Sequence, residues 1–176
     1  MLKTLLIFAH PALHKSQANK LLLNYLPKDE NLIFHDLYEA YPDHIIHPQL
    51  EQKKVEQVDR IIFQFPLYWY STPALIKEWF DIVLEYGWAY GHHADALVGK
   101  YAQIITTTGS PASSYTPEGQ VQHTMEEILL PLERTFKLCG MIYQAPLIIH
   151  DALQLDKNNC KSCMEHYIKT LTDTPS

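Results

Sequence analysis

The chain has little of what marks several common classes of protein. Three cysteines among 176 residues are an odd number and too few for a disulfide framework. Its 14 basic residues are outnumbered by 20 acidic ones, for a net charge of −6. That balance argues against a nucleic-acid binder, which would normally have a basic face. No apolar run approaches the roughly 20 residues that span a bilayer, and a 47% hydrophobic composition argues against disorder.

The cysteines and histidines do not form a metal-binding pattern. Cys160 and Cys163 form a C-x-x-C, but no second pair supplies the other two ligands that a zinc site needs. We interpret them as two thiols where a loop meets a helix. His92 and His93 are adjacent, so a helix would not present them on one face. We therefore assign no metal ion.

Apolar runs alternate with helical patterns along the whole chain. The runs predict five buried strands: Lys3–Ala9, Asn31–His35, Arg60–Phe65, Tyr101–Thr107 and Met141–Ile149. The patterns between them predict helices at Gln17–Leu26, Gln49–Gln57, Ala74–Leu84, Gln122–Leu138 and Lys161–Leu171. We read the apolar start as the first strand and not as an export signal. This alternation predicts one α/β domain over residues 1–176.

Continuous apolar strands suit a parallel sheet that helices cover on both faces. The first strand is not followed by G-x-G-x-x-G, which disfavours a dinucleotide-binding domain. We expect a flavodoxin-like fold, a five-stranded parallel sheet in the order 2-1-3-4-5. Ligands of such sheets bind beyond the carboxyl ends of the strands, where the strand order reverses. The loops after the first, third and fourth strands should therefore meet at one site.

The loop after the first strand leads into a helix start. Ser16 is a good N-cap, and Gln17, Ala18 and Asn19 would form the first helical turn. The free N–H groups of such a turn and the helix dipole suit a phosphate. His10, Ser16 and Asn19 would add side-chain donors. The alternative is an ordinary capped helix.

The loop after the third strand is rich in aromatic side chains. Prolines at 66 and 73 bracket Leu67, Tyr68, Trp69 and Tyr70. We expect the N–H groups of Leu67, Tyr68 and Trp69 to face the polar edge of a planar ligand, while the side chains wall its apolar part. The alternatives are that the aromatics cap the core or form a dimer contact.

The loop after the fourth strand contains Gly109, which permits close approach of the backbone to a ligand. Threonine hydroxyls and loop amides there would meet the pyrimidine edge of a flavin. Tyr115 and His123 follow and are candidates to carry a proton. A plain glycine-containing turn is the alternative. Taken together, the three loops predict a flavin site.

Three motifs, FPLYWYSTPALIKEWFDIVLEYGWAYG, ALVGK and TTTGS, carry a family resemblance. The chain resembles the flavodoxin-like NAD(P)H:quinone oxidoreductases, in particular a short bacterial branch. That branch contains ancillary proteins of glutathione-regulated potassium efflux and a general-stress NAD(P)H oxidoreductase. The similarity covers nearly the whole chain.

The resemblance implies the positions of a flavin site. The phosphate and ribityl segment would be His10, Ser16, Gln17, Ala18 and Asn19. The isoalloxazine ring would contact Pro66, Leu67, Tyr68 and Trp69 on one loop, and Thr107, Thr108, Gly109 and Ser110 on the other. Tyr115 matches a substrate-facing tyrosine, and His123 matches a neighbouring catalytic histidine with slightly different spacing. Ser110 stands where many members have a second glycine.

The resemblance also implies an activity and partners. We expect a flavin-dependent enzyme that takes hydride from NADH or NADPH and reduces a quinone-like acceptor by a ping-pong mechanism. The length of the chain favours FMN as the flavin, with FAD as the alternative. A homodimer is expected through Glu85–Lys100, a segment with Trp88 and Tyr90. Two other functions stay open: an ancillary subunit of a membrane potassium-efflux transporter, and a one-electron carrier. We expect a cytoplasmic protein, peripheral at the inner face of the membrane if the transporter is its partner.

Overall fold

The structure is a computed structural model and describes residues 2–174. Its strands are Thr4–Phe8 (β1), Leu32–Asp36 (β2), Arg60–Pro66 (β3), Tyr101–Thr107 (β4), Ile142–Tyr143 (β5) and Leu147–Ile149 (β6). Its α-helices are Gln17–Asn24 (α1), Leu37–Ala40 (α2), Pro48–Glu56 (α3), Ala74–Val83 (α4), Met125–Leu138 (α5) and Lys161–Thr172 (α6). Two 3₁₀ turns span Leu13–Lys15 and Ala112–Ser114.

All the strands are parallel, and the main path of the sheet runs β2-β1-β3-β4-β5. This confirms the predicted flavodoxin-like order. Every residue of β1 and β3 is buried, because helices cover both faces of the sheet and leave no solvated side. The prediction of one domain over residues 1–176 reaches beyond the described residues, since Met1, Pro175 and Ser176 lie outside them, and it stays a prediction.

The predicted fifth strand is two short strands. Ile142–Tyr143 pairs with the beginning of β4, and Leu147–Ile149 pairs with its end. Residues 144–146 separate the two strands, and Pro146 has no N–H to donate to the ladder. The sheet therefore has a sixth strand, and the loop after β6 reaches the same edge as the loop after β4.

Alternate strand residues build two apolar layers. Leu6, Ile62 and Ile105 pack with residues of α1 and α6. On the opposite face, Phe63 packs with Trp79 of α4 and with residues of α3 and α5. Both layers leave the carboxyl ends of the strands free for loops. Among residues 2–174, no helix is both long and apolar enough to cross a membrane.

Two helix features differ from the sequence prediction. The short helix α2 was not predicted, and Asp36 caps it by accepting hydrogen bonds from the backbone N–H groups of Tyr38 and Glu39. Helix α5 begins at Met125 rather than at Gln122, because Thr124 and Glu127 form a reciprocal capping box there. Gln122 has a φ of 61°, which is incompatible with a right-handed helix.

Candidate functional site

The three predicted loops meet at the carboxyl ends of β1, β3 and β4. They border a cavity of about 480 Å³, a size typical of small-molecule sites. The predicted residues that line it are His10, Ser16, Gln17 and Asn19 from the first loop, Pro66, Leu67 and Tyr68 from the second, and Thr107, Thr108 and Gly109 from the third. The topology thus brings most of the predicted site together.

Ser16 and Asn19 build the corner of the cavity at the start of α1. Ser16 is the N-cap, and its hydroxyl oxygen accepts hydrogen bonds from the backbone N–H and the side-chain amide of Asn19, at 3.2 and 3.1 Å. The same amide donates to the Thr107 hydroxyl at 3.2 Å. Asn19 therefore joins the helix start to the end of β4, and the N–H groups of Gln17 and Ala18 remain available for an anion.

Asn19 also has an unpaired hydrogen-bond acceptor. Its Oδ1 atom is buried and has no hydrogen-bond partner among residues 2–174. A buried acceptor without a partner is costly, so a hydroxyl donor from a bound molecule would satisfy it. This observation fits the polyol chain of a flavin, whose hydroxyl groups lie next to the phosphate.

His10 presents a defined donor to the cavity. Its Nδ1 accepts a hydrogen bond from the Ala12 N–H at 3.1 Å, so the proton of the neutral ring lies on Nε2. Burial lowers the pKa of His10 and favours that neutral form. The ring contacts Tyr68 edge-on, with the centroids 6.1 Å apart.

The aromatic loop is a tight two-residue turn. Tyr68 and Ser71 exchange two backbone hydrogen bonds of 3.0 Å, and Trp69 and Tyr70 between them have φ values of 53° and 60°. Bulky residues rarely adopt this conformation, and local strain of this kind is often found at functional sites. The turn leaves Trp69 94% exposed, and Trp69, although predicted to contact the ligand, is not among the residues that line the cavity.

The expected role of three backbone N–H groups in this loop is partly wrong. The Leu67 N–H donates to the Thr107 carbonyl at 2.8 Å, and the Tyr68 N–H donates to Ser71. Both are therefore used to fix the loop to β4 and to itself. Of the three, Trp69 keeps an N–H with no partner among residues 2–174.

The third loop is held by the chain that follows β6. Thr108 is buried, and its hydroxyl donates to the Ser110 carbonyl at 2.9 Å. The same Oγ1 lies 2.9 Å from Nδ1 of His150. The Ala152 N–H donates to the Thr108 carbonyl at 2.9 Å. These bonds fix the edge of the cavity that Thr108 and Gly109 form.

Four lining residues were missed by the sequence analysis: Ala12, Lys15, Ala152 and Leu153. Lys15 precedes the N-cap of α1 and adds a positive charge to the corner that suits an anion. Ala152 and Leu153 follow β6. They lie at the cavity edge because the predicted fifth strand is split and its second half pairs with the end of β4. Their position after a parallel strand could have identified them, since ligands of such sheets bind beyond the carboxyl ends of the strands.

Other predicted site residues are not on the lining. Ala18 is buried within α1, and Ser110 contributes its carbonyl oxygen as an acceptor for Thr108 and Asp151. Tyr115 follows the second 3₁₀ turn and packs against His150, with ring centroids 5.4 Å apart. His123 is exposed and lies 3.4 Å from Glu127 near the start of α5. The catalytic roles of Tyr115 and His123 stay predictions.

The geometry suits a planar ligand with an anionic tail. Apolar and aromatic side chains wall one end, and a capped helix start, Lys15 and Asn19 form the other. Within residues 2–174, no three His, Cys, Asp or Glu side chains cluster closely enough to hold a metal ion. The site can therefore position a flat organic molecule and supply it with neutral donors from His10 and from the backbone.

Comparison with protein families gives one match over nearly the whole chain. A family model described as a flavodoxin-like fold matches residues 2–171. The chain is also 42% identical over 171 residues to the glutathione-regulated potassium-efflux system ancillary protein KefG of Cronobacter sakazakii, covering 97% of this chain and 93% of KefG.

Three solved structures are similar over nearly the whole chain. The general stress protein 14 of Treponema denticola, solved in complex with FMN, is 34% identical with a TM-score of 0.83, covering 96% of this chain and 93% of its own. An NADPH-quinone reductase from P. pentosaceus is 31% identical with a TM-score of 0.90, covering 98% and 99%. A structure named as a thermophilic tryptophan halogenase, from Streptomycin violaceusniger, is 35% identical with a TM-score of 0.92, covering 97% and 99%.

Proposed function

Because this chain belongs to the flavodoxin-like family whose model matches residues 2–171, we propose that it is an FMN-dependent NAD(P)H:quinone oxidoreductase. The observation that carries the proposal is the cavity at the ends of β1, β3 and β4, with its capped helix start and the unpaired acceptor of Asn19. The FMN complex of the Treponema denticola protein and the name of the P. pentosaceus reductase support this cofactor and this activity.

The corner at α1 is the proposed phosphate site. The N–H groups of Gln17 and Ala18 and the ammonium of Lys15 would hold the two negative charges. Asn19 Oδ1 would accept a hydrogen bond from the polyol chain, which gives this buried atom its partner. FMN therefore fits the donor and acceptor set that the chain provides.

The other end of the cavity is the proposed ring and substrate site. When bound, a flavin supplies hydride transfer between the reduced nicotinamide and the acceptor. Leu67 and Tyr68 would exclude water from one side of the ring, and the Nε2–H of His10 would donate to an acceptor atom. One open face that serves both substrates in turn would give ping-pong kinetics.

Tyr115 is the proposed donor to the quinone oxygen. Its ring is held beside His150 next to the third loop, and a tyrosine hydroxyl can donate one hydrogen bond to an oxygen that gains charge. The exposed His123 is proposed as its helper, as the family resemblance implies. Either NADH or NADPH would serve as the electron donor.

Flavin binding to two variants tests the cofactor site. Ser16→Ala with Asn19→Ala should weaken FMN binding by roughly 2–4 kcal/mol, because the Ser16 hydroxyl bond to the phosphate and the Asn19 Oδ1 bond to the polyol chain are both lost. Riboflavin has the polyol chain but no phosphate, so its binding should weaken by a smaller amount, that of the Asn19 bond alone. Fluorescence titration measures both affinities, and mass spectrometry of the released cofactor identifies the native one.

Asn24→Ala is the matched control, because Asn24 is an exposed asparagine of the same helix. Its FMN affinity should equal that of the wild type. An unchanged FMN affinity in the Ser16 and Asn19 double variant would place the phosphate elsewhere and refute the site. The reaction itself is tested by adding quinone and NADH or NADPH to the FMN-loaded protein and measuring the formation of reduced quinone.

A second candidate function rests on the 42% identity to KefG. The chain would then be an ancillary subunit of a glutathione-regulated potassium-efflux system, cytoplasmic and peripheral at the inner face of the membrane. Co-purification with a transporter encoded in the same genome, and potassium efflux with and without this chain, test that role. If potassium efflux is lost without the chain and a variant that lacks quinone reductase activity restores it, the ancillary role is favoured over the enzymatic one.

We also propose a homodimer. In Glu85–Lys100, Tyr86 and Tyr90 are exposed and contact each other edge-on at 5.7 Å. Trp88 instead packs on the core and donates its indole N–H to Glu56 at 2.8 Å. The exposed tyrosines, rather than Trp88, are therefore the proposed contact with a second copy of the chain.

A further inference from the structure

His150 lies where three parts of the structure meet. Its Nδ1 is 2.9 Å from the Thr108 hydroxyl oxygen, at the edge of the cofactor cavity. Its ring is 5.4 Å from the ring of Tyr115, tilted by 37°, within the range of a favourable aromatic contact. It also begins the segment after β6 that brings Ala152 to the cavity.

The hydrogen bonds around Thr108 determine which nitrogen of His150 carries the proton. A threonine hydroxyl has one hydrogen to donate and can accept others. Thr108 donates that hydrogen to the Ser110 carbonyl, 2.9 Å away. Towards His150 the hydroxyl can therefore only accept, so the hydrogen between them belongs to Nδ1 of His150. In the neutral ring, Nε2 is then the unprotonated nitrogen.

This arrangement is the opposite tautomer from that of His10. His10 accepts at Nδ1 and carries its proton on Nε2. Burial lowers the pKa of both histidines, so each ring is held in its neutral form. The two histidines of the site therefore have distinct tasks: His10 offers a donor to the cavity, and the donor of His150 is used inside the protein.

We propose that His150 is a positioning residue that holds Thr108 through its Nδ1–H and Tyr115 through its ring. The Thr108 contact fixes the cavity edge at which the cofactor binds, and the Tyr115 contact fixes the proposed donor to the quinone. The second half of this inference rests on the proposed function. The first half concerns ligand binding alone and does not depend on quinone reduction.

The tautomer can be measured in the protein without cofactor. In ¹⁵N-labelled protein, two-bond ¹H–¹⁵N correlation spectra at pH 7.5 distinguish the Nδ1–H form from the Nε2–H form of a neutral histidine. We expect Nδ1–H for His150 and Nε2–H for His10. An Nε2–H tautomer at His150 would overturn the proposal without any substitution.

Two substitutions separate the two contacts. His150→Phe keeps an aromatic ring beside Tyr115 and removes the donor to Thr108. We expect its FMN affinity to fall about three- to tenfold, the effect of one hydrogen bond, while the loaded protein reoxidises with quinone near the wild-type rate. His150→Asn places an amide N–H near the position of Nδ1 and removes the ring. We expect its FMN affinity to stay within about twofold, while the quinone step slows at least threefold.

His166 provides the matched control, since its Nδ1 bonds a carbonyl oxygen on the exposed side of α6. His166→Phe and His166→Asn should leave both measurements unchanged. If the Phe and Asn variants of His150 lose FMN affinity and quinone rate in the same proportion, His150 only fills space and the positioning role is refuted. If the wild type binds FMN but reduces no quinone, the proposed function fails, and the tautomer and FMN affinities still decide whether His150 holds Thr108.

Discussion

A buried carboxylate on helix α3 allows a quantitative prediction about stability. Glu51 of α3 is fully buried. It accepts hydrogen bonds from the Tyr41 hydroxyl at 2.7 Å, the Trp79 indole N–H at 2.9 Å and His35 Nε2 at 3.0 Å, and it pairs with Lys54. The carboxylate thus accepts hydrogen bonds from four side chains. They belong to β2, to the C-cap of α2, to α3 and to α4, so Glu51 joins these elements.

The pKa of Glu51 measures how strongly the fold favours its charged form. Burial alone would raise the pKa, but hydrogen bonds from His35, Lys54 and Tyr41 outweigh burial and lower it from 4.5 to about 2. A lowering of that size corresponds to roughly 3 kcal/mol of stabilisation of the folded state at neutral pH. Because the folded pKa lies below the unfolded one, this stability is present above pH 4.5 and is lost as the pH falls towards 2.

We therefore predict that Glu51→Gln lowers the free energy of unfolding by about 3–5 kcal/mol at pH 7. The glutamine keeps the shape of the side chain but loses the charge, and its NH₂ group faces donors instead of accepting from them. The difference between wild type and variant should shrink to roughly half at pH 3, where most of the linked stability is gone.

Urea unfolding followed by circular dichroism at several pH values from 3 to 7 measures this difference. Glu165→Gln is the control, because Glu165 is exposed on α6, and it should change stability by no more than about 0.5 kcal/mol. A Glu51→Gln effect below about 1 kcal/mol at pH 7, or one that does not vary with pH, would refute the assigned role of the buried charge.

Three further predictions concern the proposed site and its surroundings. Tyr115→Phe should slow reoxidation of the bound flavin by quinone about tenfold or more, which corresponds to roughly 1.4 kcal/mol of activation free energy, and leave flavin reduction by NAD(P)H nearly unchanged. If stopped-flow measurements give equal rates of reoxidation for the variant and the wild type, Tyr115 is only a packing residue. Tyr70→Asn should raise the free energy of unfolding, measured by urea unfolding, by roughly 0.5–1 kcal/mol, because asparagine tolerates the φ of 60° better than tyrosine. Tyr25→Asn is the control: the φ of Tyr25 is −102°, so this substitution should not stabilise the protein. Sedimentation equilibrium should give twice the chain mass, and Tyr86→Ser should weaken the association; a monomer at micromolar concentration would contradict the dimer.

Much of the fold could be predicted because its signals are local. Continuous apolar runs identify strands that are buried on both faces, and β4 was predicted with its observed bounds, Tyr101–Thr107. Ser16 was predicted as the N-cap of the first helix because a hydroxyl before a helical pattern satisfies a first-turn N–H. The order of strands in turn indicated which loops would meet, and those loops do border the cavity.

Other features depend on contacts between residues far apart in the chain. The sequence of the aromatic loop does not reveal that the N–H groups of Leu67 and Tyr68 are used inside the protein, since that depends on the distance to β4. Pro146 signals a break within the last apolar run, but only the pairing of both halves with β4 shows that each is a strand. That pairing then places the following loop at the cavity.

The fold class, the edge of the sheet at which the cavity lies and most of the residues that line it could be predicted from the sequence, because periodicity, helix capping and strand order are properties of short segments. Which of those residues have free hydrogen-bonding groups depends on the folded structure. The proton position of His150 depends on Thr108, 42 residues away. The charge of Glu51 depends on donors from β2, from α4 and from the C-cap of α2, in addition to Lys54 of its own helix. Hydrogen bonds between distant segments form only when packing brings their atoms within about 3 Å, and sequence spacing does not specify that distance.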